Sequence, residues 1–246
     1  MGASGMRHAD LPVGSVDVLT SVAARTWPTR AALRTGSRAV TFAELDRAVS
    51  RLAFGLRQSL GEGLTVAVSA LPGLDFPTAF YAIVRSGNVA APVDPRLPAD
   101  EFADFLAVTK ARAVILGRAM YERVRPVLGA ELELVLLLDA PAETGVLTCA
   151  ELATGGALLV EPRDRDEREP AAIMSGLVTH HALKARAAAV GLTPATVVLN
   201  SAPVFDATQL SAAVLGGATQ LLSRDGSLDP NATHLVTEQG ELRTAS

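Results

Sequence analysis

An α/β fold of two βαβ-type subdomains, each a largely parallel sheet flanked by helices, is predicted by three features of this sequence. Short runs of β-branched and aliphatic residues alternate with helical patterns along most of its length, the pattern of parallel strands joined by crossover helices. Hydrophobic residues make up 49% of the 246 positions and the mean hydropathy is +0.29, enough apolar surface for a sizeable core. A mixed-charge run bounded by prolines, residues 161–170, separates two such series and reads as a solvated linker.

The elements follow in order. Residues 1–14 lack any period and read as a disordered N-terminus. Val16, Leu19, Val22 and Ala23 have helical spacing, and the pattern ends at Trp27-Pro28. Ala31 to Arg34 and Val40 to Phe42 flank a Gly36 turn as a hairpin. Ala43 to Leu60 is the longest helix, with Leu45, Ala48, Leu52, Gly55 and Leu56 on one face, and Thr41 with Glu44 three residues on forms a capping box. Strands at 64–68, 89–93, 113–116 and 132–138 then alternate with helices at 75–86, 98–109 and 118–128. This gives a first subdomain over 15–160. Past the charged run come a strand at 171–174, a helix at 180–190 closed by Gly191, a strand at 196–199, a helix at 207–215 and strands at 218–222 and 234–237. The second subdomain, 171–246, reads as an incomplete sheet.

Composition excludes several functions. A net charge of -4 and a pI near 5.6 give no electrostatic footprint for nucleic acid. Cys149 is the single cysteine, so neither a disulfide framework nor a thiolate metal cluster is expected, and it reads as a core residue. No apolar leader opens the chain, and apolar runs such as Leu134 to Leu138 are far too short to span a bilayer. A cytoplasmic protein is expected. Only two of the 22 Lys and Arg residues are lysines, Lys110 and Lys184, and neither lies in a glycine-rich loop.

Adjacent residues on a helix diverge by roughly 100°, so His180 and His181 cannot share a metal ion as an i, i+4 pair does. They read as polar residues of a helix start. Asp75 likewise reads as a helix start and Asp94 as a turn residue before Pro95. Ser175-Gly176 lacks the leading glycine and the partners of a nucleophile elbow.

Two stretches together carry a resemblance. Val40 to Leu45 is an aromatic strand leading into the first long helix, and Tyr81 to Pro95 is a helix ending at Gly87 and a buried strand ending at Pro92-Val93-Asp94-Pro95. In order and at this spacing they are similar to the first two core motifs of the adenylate-forming superfamily, which includes acyl- and aryl-CoA synthetases, luciferases and nonribosomal peptide synthetase adenylation domains. The resemblance runs from about Val16 to Leu222 and implies the N-terminal part of that fold.

The family's third motif, its phosphate loop, should fall at Ala171 to Leu183. Ile173, Ser175, Gly176, Thr179 and His180 match its flanks, while the glycines, hydroxyls and lysine of its interior are absent, with only Leu177 and Val178 between. Pro203 to Ala207 resembles the fourth motif, which implies a substrate pocket near Phe205, Asp206 and Ser175. No match is found to the family's later adenine, ribose and magnesium motifs or to its small C-terminal domain.

The resemblance thus implies a truncated, non-catalytic adenylation-domain-like protein with no catalytic residue, metal or cofactor. It would bind an acyl or aminoacyl group or a partner in acyl or peptide biosynthesis, a carrier protein or an enzyme. The incomplete second subdomain is expected to be covered in a homodimer or hetero-oligomer, with neither nucleic acid nor membrane as partner. The alternative is an enzyme using the residual pocket for ATP-independent acyl transfer or condensation, with Asp206, Ser201 or Ser175 as its nucleophile or base.

Overall fold

The computed structural model describes residues 11–69, 73–138, 146–154, 165–200, 206–223, 232–236 and 242–244. One six-stranded sheet is built on β3 (Thr65–Ser69), β4 (Val89–Pro92), β5 (Ala111–Leu116) and β6 (Leu134–Leu137), which run parallel. Helices α3 (Asp75–Arg85), α4 (Ala99–Thr109) and α5 (Arg118–Val124) connect them. Val66, Val68, Ala113 and Ile115 face one way, into the larger core, while Ala67, Val114 and Leu116 face the other, onto Phe102, Leu106, Met120 and Val124. Burial on both faces is why these strands read as continuous apolar runs instead of alternating ones.

The second sheet contains β1 (Ala31–Thr35), β2 (Arg38–Thr41), β9 (Val197–Asn200), β10 (Thr219–Leu222), β11 (His234–Val236) and β12 (Leu242–Thr244), in the order β12-β11-β9-β10-β1-β2. β1 and β2 form the expected antiparallel hairpin. They also pair onward, Leu33 opposite Gln220, so the hairpin belongs to a sheet whose other strands lie more than 150 residues away in sequence.

The converse holds for β7 (Pro170–Ile173) and β8 (Leu177–Thr179). They join the first sheet through Ala90 and Ala172, giving the order β6-β5-β3-β4-β7-β8. The sheets therefore do not follow the division of the chain into 15–160 and 171–246, because each recruits a hairpin from across the charged run. Periodicity identifies a strand but not the edge that will accept it. Strand β8, strand β12 and α6 (Cys149–Thr154) have only three, three and six residues, too short for a pattern to register.

Helices α1 (Val18–Thr26), α2 (Phe42–Leu60), α3, α7 (His180–Val190) and α8 (Ala207–Gly216) contribute to one core together with both sheets. The capping box at the head of α2 forms as expected: Thr41 Oγ1 accepts from the Glu44 amide at 3.2 Å, and Glu44 Oε2 accepts from the Thr41 amide at 2.8 Å. Gly55 falls on the apolar face of α2 because α6 crosses there. A Cβ at this position would sit 2.6 Å from the carbonyl oxygen of Leu152.

The joint of α1, α2 and α3 is polar. Arg85, at the end of α3, is 2% exposed, and Asp17, preceding α1, is 0% exposed. The guanidinium donates from Nε to Asp17 Oδ2 at 3.0 Å, from Nη1 to Ser50 Oγ at 2.6 Å, and from Nη2 to Thr20 Oγ1 at 2.6 Å and Asp46 Oδ1 at 2.8 Å. Burial alone would raise the Asp46 carboxyl, yet the Arg85 charge and hydrogen bonds from Thr20, Arg85 and Ser21 hold it below the usual carboxylate range. Replacing Arg85 by Met leaves the Asp17 carboxylate buried without its cation, and the expected loss is about 3–5 kcal/mol in urea unfolding. Loss of less than about 1 kcal/mol would show that the cluster is not a structural requirement.

Candidate functional site

Strands β7 and β8 form a tight antiparallel hairpin, with Ile173 opposite Leu177 and Pro170 opposite Thr179. The turn is Met174, Ser175 and Gly176, closed by the Met174 amide donating to the Gly176 carbonyl at 2.9 Å. Ser175 and Gly176 are exposed at its tip. Leu177 and Val178, which stand between the flanks of the family's third motif, are the first two residues of β8, at the edge of its sheet.

Thr179 then caps α7, its hydroxyl accepting from the Ala182 amide at 3.1 Å. The next two orphan donors of this helix start are also used: the His180 amide donates to the Glu169 carbonyl at 3.1 Å and the His181 amide to the Glu167 carbonyl at 2.8 Å. Half of the presumed linker is thus folded back onto the head of α7. Arg165 and Glu169 pair within it.

Glu167 brings its carboxylate to the same place. It accepts from Lys184 Nζ at 2.6 Å, the Gly14 amide at 3.0 Å and His181 Nδ1 at 3.2 Å. Lys184 Nζ also donates to the carbonyls of Pro12 at 2.5 Å and Gly14 at 2.7 Å. Residues 11–14, read from sequence as part of a disordered terminus, are therefore fixed by a buried ammonium; residues 1–10 lie outside the described ones.

His180 is 0% exposed. Its Nδ1 accepts from the Val16 amide at 3.2 Å, which assigns the ring proton to Nε2, an atom without a hydrogen-bond partner among the described residues. Burial first, and then the nearby Arg165 charge, push its pKa down to about 4. The expectation of a helix-start polar residue holds for His181, which is exposed. His180 is instead an interior residue, neutral at physiological pH.

Asp206 is the N-cap of α8, with Oδ1 accepting from the Gln209 amide at 2.9 Å. Because α8 connects parallel strands β9 and β10, Asp206 lies at the carboxyl edge of that sheet, where open α/β sheets place their ligand crevices. Phe205 and Ser201 lie outside the described residues. The candidate residues are thus dispersed: Ser175 and Gly176 at a hairpin tip, Thr179 and Asp206 capping two helices that pack together, and His180 in the interior.

Asp94 closes its own turn, accepting from the Arg96 amide and guanidinium. Cys149 is buried, and burial together with the Asp75 charge pushes its thiol pKa up. No group of His, Cys, Asp and Glu suited to a metal ion occurs among the described residues, and none of their helices is long and apolar enough to cross a membrane.

Sequence reasoning missed Glu167 and Lys184 as partners. A signal was present: His180, Leu183, Lys184 and Ala187 form the buried stripe of α7, so one of only two lysines stands at core spacing.

The family described as AMP-binding enzyme matches residues 20–240. N-(5-amino-5-carboxypentanoyl)-L-cysteinyl-D-valine synthase of Amycolatopsis lactamdurans is 36% identical over 139 residues, covering 53% of this chain and 4% of that protein. Surfactin synthase subunit 1 of Bacillus subtilis is 30% identical over 94 residues, 38% of this chain and 3% of that protein. The chain spans only a small part of these relatives.

Among solved structures, the fold is similar to an anthranilate CoA ligase in complex with anthranoyl-AMP, at a TM-score of 0.77 and 19% identity, covering 89% of this chain and 46% of that one. A luciferase-like enzyme from the nonluminescent Zophobas morio mealworm also gives 0.77, at 16% identity, covering 92% and 58%. These likenesses establish the fold: the N-terminal region of adenylate-forming enzymes, as the sequence predicts.

The lowered His180 pKa generates a pH dependence. An unfolded histidine titrates near 6.5 and the folded one near 4, so between those values the unfolded chain binds a proton that the folded chain does not. The His180 contribution is complete above about pH 6.5 and is lost on acidification towards pH 4, by about 3 kcal/mol. Urea stability measured across this range should show that slope in the wild type, and His180→Gln should remove it. An equal slope in both proteins would assign the acid sensitivity to other groups.

Proposed function

Because the chain belongs to the AMP-binding enzyme family, we propose that it is a non-catalytic adenylation-domain-like protein that lacks the ATP phosphate loop and acts by binding. The partner is an acyl or aminoacyl group, held near Asp206, or a protein of acyl or peptide biosynthesis. The observation that carries the reading is the hairpin turn Met174-Ser175-Gly176, where the resemblance calls for a phosphate loop. A three-residue turn closed by its own hydrogen bond has neither the run of free amides nor the ammonium with which such loops hold phosphates.

A second observation supports it. Helix N-termini bind phosphate through unpaired amides, and the His180, His181 and Ala182 amides at the head of α7 are spent on Glu169, Glu167 and Thr179. Adenylation requires positioned cations and donors around the α-phosphate, each worth on the order of a hundred- to a thousandfold in rate. Without them the scaffold is left with binding.

Leu177 supports a protein partner, as a homodimer mate or a different chain. It is 70% exposed on β8, an edge strand of its sheet, and exposed apolar edges invite pairing. Light scattering at micromolar protein should therefore report a dimer or, with the partner present, a hetero-oligomer. Leu177→Lys should shift that equilibrium towards monomer by at least tenfold, and a wild type that is monodisperse and monomeric under both conditions would remove the partner reading.

For nucleotide, calorimetric titration with ATP and magnesium, run beside a non-hydrolysable acyl-adenylate analogue, should give no saturable heat from ATP up to millimolar concentration. Micromolar binding of ATP would mean that another segment supplies the nucleotide site. The non-catalytic reading would then be wrong.

A further inference from the structure

The ion pair at the foot of the β7–β8 hairpin has the composition of an anion site that the chain fills with its own carboxylate. Three donors from two parts of the chain converge on Glu167: the Lys184 ammonium and the His181 imidazole from α7, and the Gly14 amide from the N-terminal segment. An ammonium, a backbone N–H and a ring N–H are a donor set suited to a small oxyanion. We propose that these three groups form a binding site for a carboxylate or phosphate group, which Glu167 occupies and which an anionic ligand enters by displacing it.

The two sides of the contact differ in freedom, and this makes displacement feasible. The Lys184 side chain is 0% exposed and its Nζ is also anchored on the carbonyls of Pro12 and Gly14. It stays in place when its counter-ion leaves. The Glu167 side chain is 28% exposed and belongs to the turn before β7, so it can swing into solvent. Its departure strands a buried positive charge, and an incoming oxyanion removes that penalty. Although burial alone would raise the Glu167 carboxyl, the hydrogen bonds from Lys184 and His181 and the Lys184 charge keep it below the usual range, so the site already favours an anion.

This place is separate from the hairpin turn. Pro170 pairs with Thr179 at the foot, and the four residues of β7 put the tip roughly 13 Å away. The site does not depend on the function proposed above.

The test removes the internal ligand. Glu167→Ala, shown to be folded by circular dichroism, is titrated calorimetrically with sodium phosphate and, in a second arm, with sodium acetate, each at constant ionic strength. At least one of the two anions should bind the variant at least tenfold more tightly than the wild type, and the preferred arm identifies the ligand chemistry. Adding Lys184→Met to Glu167→Ala should abolish the gain. Binding of both anions no tighter than in the wild type, or a gain that survives loss of Lys184, overturns the proposal. Where Glu167→Ala is too unstable for titration, its melting temperature is compared in acetate, phosphate and chloride. Selective stabilisation by an oxyanion, absent from the wild type, supports the site, and equal melting in all three salts refutes it.

Discussion

The arrangement of this molecule depends on burying one guanidinium. Arg85 ends α3, and the groups that receive it, Asp17, Thr20, Asp46 and Ser50, come from the start of α1 and from α2. A buried cation is tolerated only when its donors are met, so the three helices are constrained to the geometry that meets them. Apolar contacts alone would let α1 slide along α2 at modest cost. The fork fixes both position and angle.

The constraint passes along the N-terminal segment to the other half of the chain. Asp17 adjoins Val16, whose amide donates to His180, and Gly14 and Pro12 accept from Lys184. The buried stripe of α7 is accordingly half polar, with His180 and Lys184 beside Leu183 and Ala187. Through these bonds, residues 11–17 connect the helix following the β7–β8 hairpin to the joint of α1–α3. Local folding of the 165–169 turn completes the unit by capping α7 with main-chain carbonyls. The same hydrogen bonds that stabilise the helix start use the amides through which such a terminus meets an anion.

Membership of the AMP-binding family sets this closed helix start beside a scaffold whose other elements are well formed. Strands β3, β4 and β5 are buried on both faces, and α8 begins at the capped Asp206 on the carboxyl edge of its sheet. The core motifs that carry the resemblance are largely packing motifs: the capping box at Thr41 and Glu44, and Asn88, whose side chain donates to the Gly61 carbonyl and accepts from the Leu64 amide. The Met174-Ser175-Gly176 turn, closed by its own hydrogen bond, makes no comparable demand on the core.

The sequence by itself determined the longer elements. Periodicity, caps and punctuating glycines located the long helix at 43–60, the parallel strands and the helix at 180–190, because these are written in patterns of two and 3.6 residues within a few turns of chain. The two motifs around Val40 and Tyr81 also determined the family.

Tertiary structure alone decided the pairing of distant segments. The hairpin at Ala31 to Thr41 joins β10, strands at 170–179 join β4, and Glu167 leaves a run that looks solvated to meet Lys184 and Gly14. Such choices turn on which edge, cavity or counter-ion lies within reach after collapse, and a charged residue has the same local signature in solvent as in an ion pair.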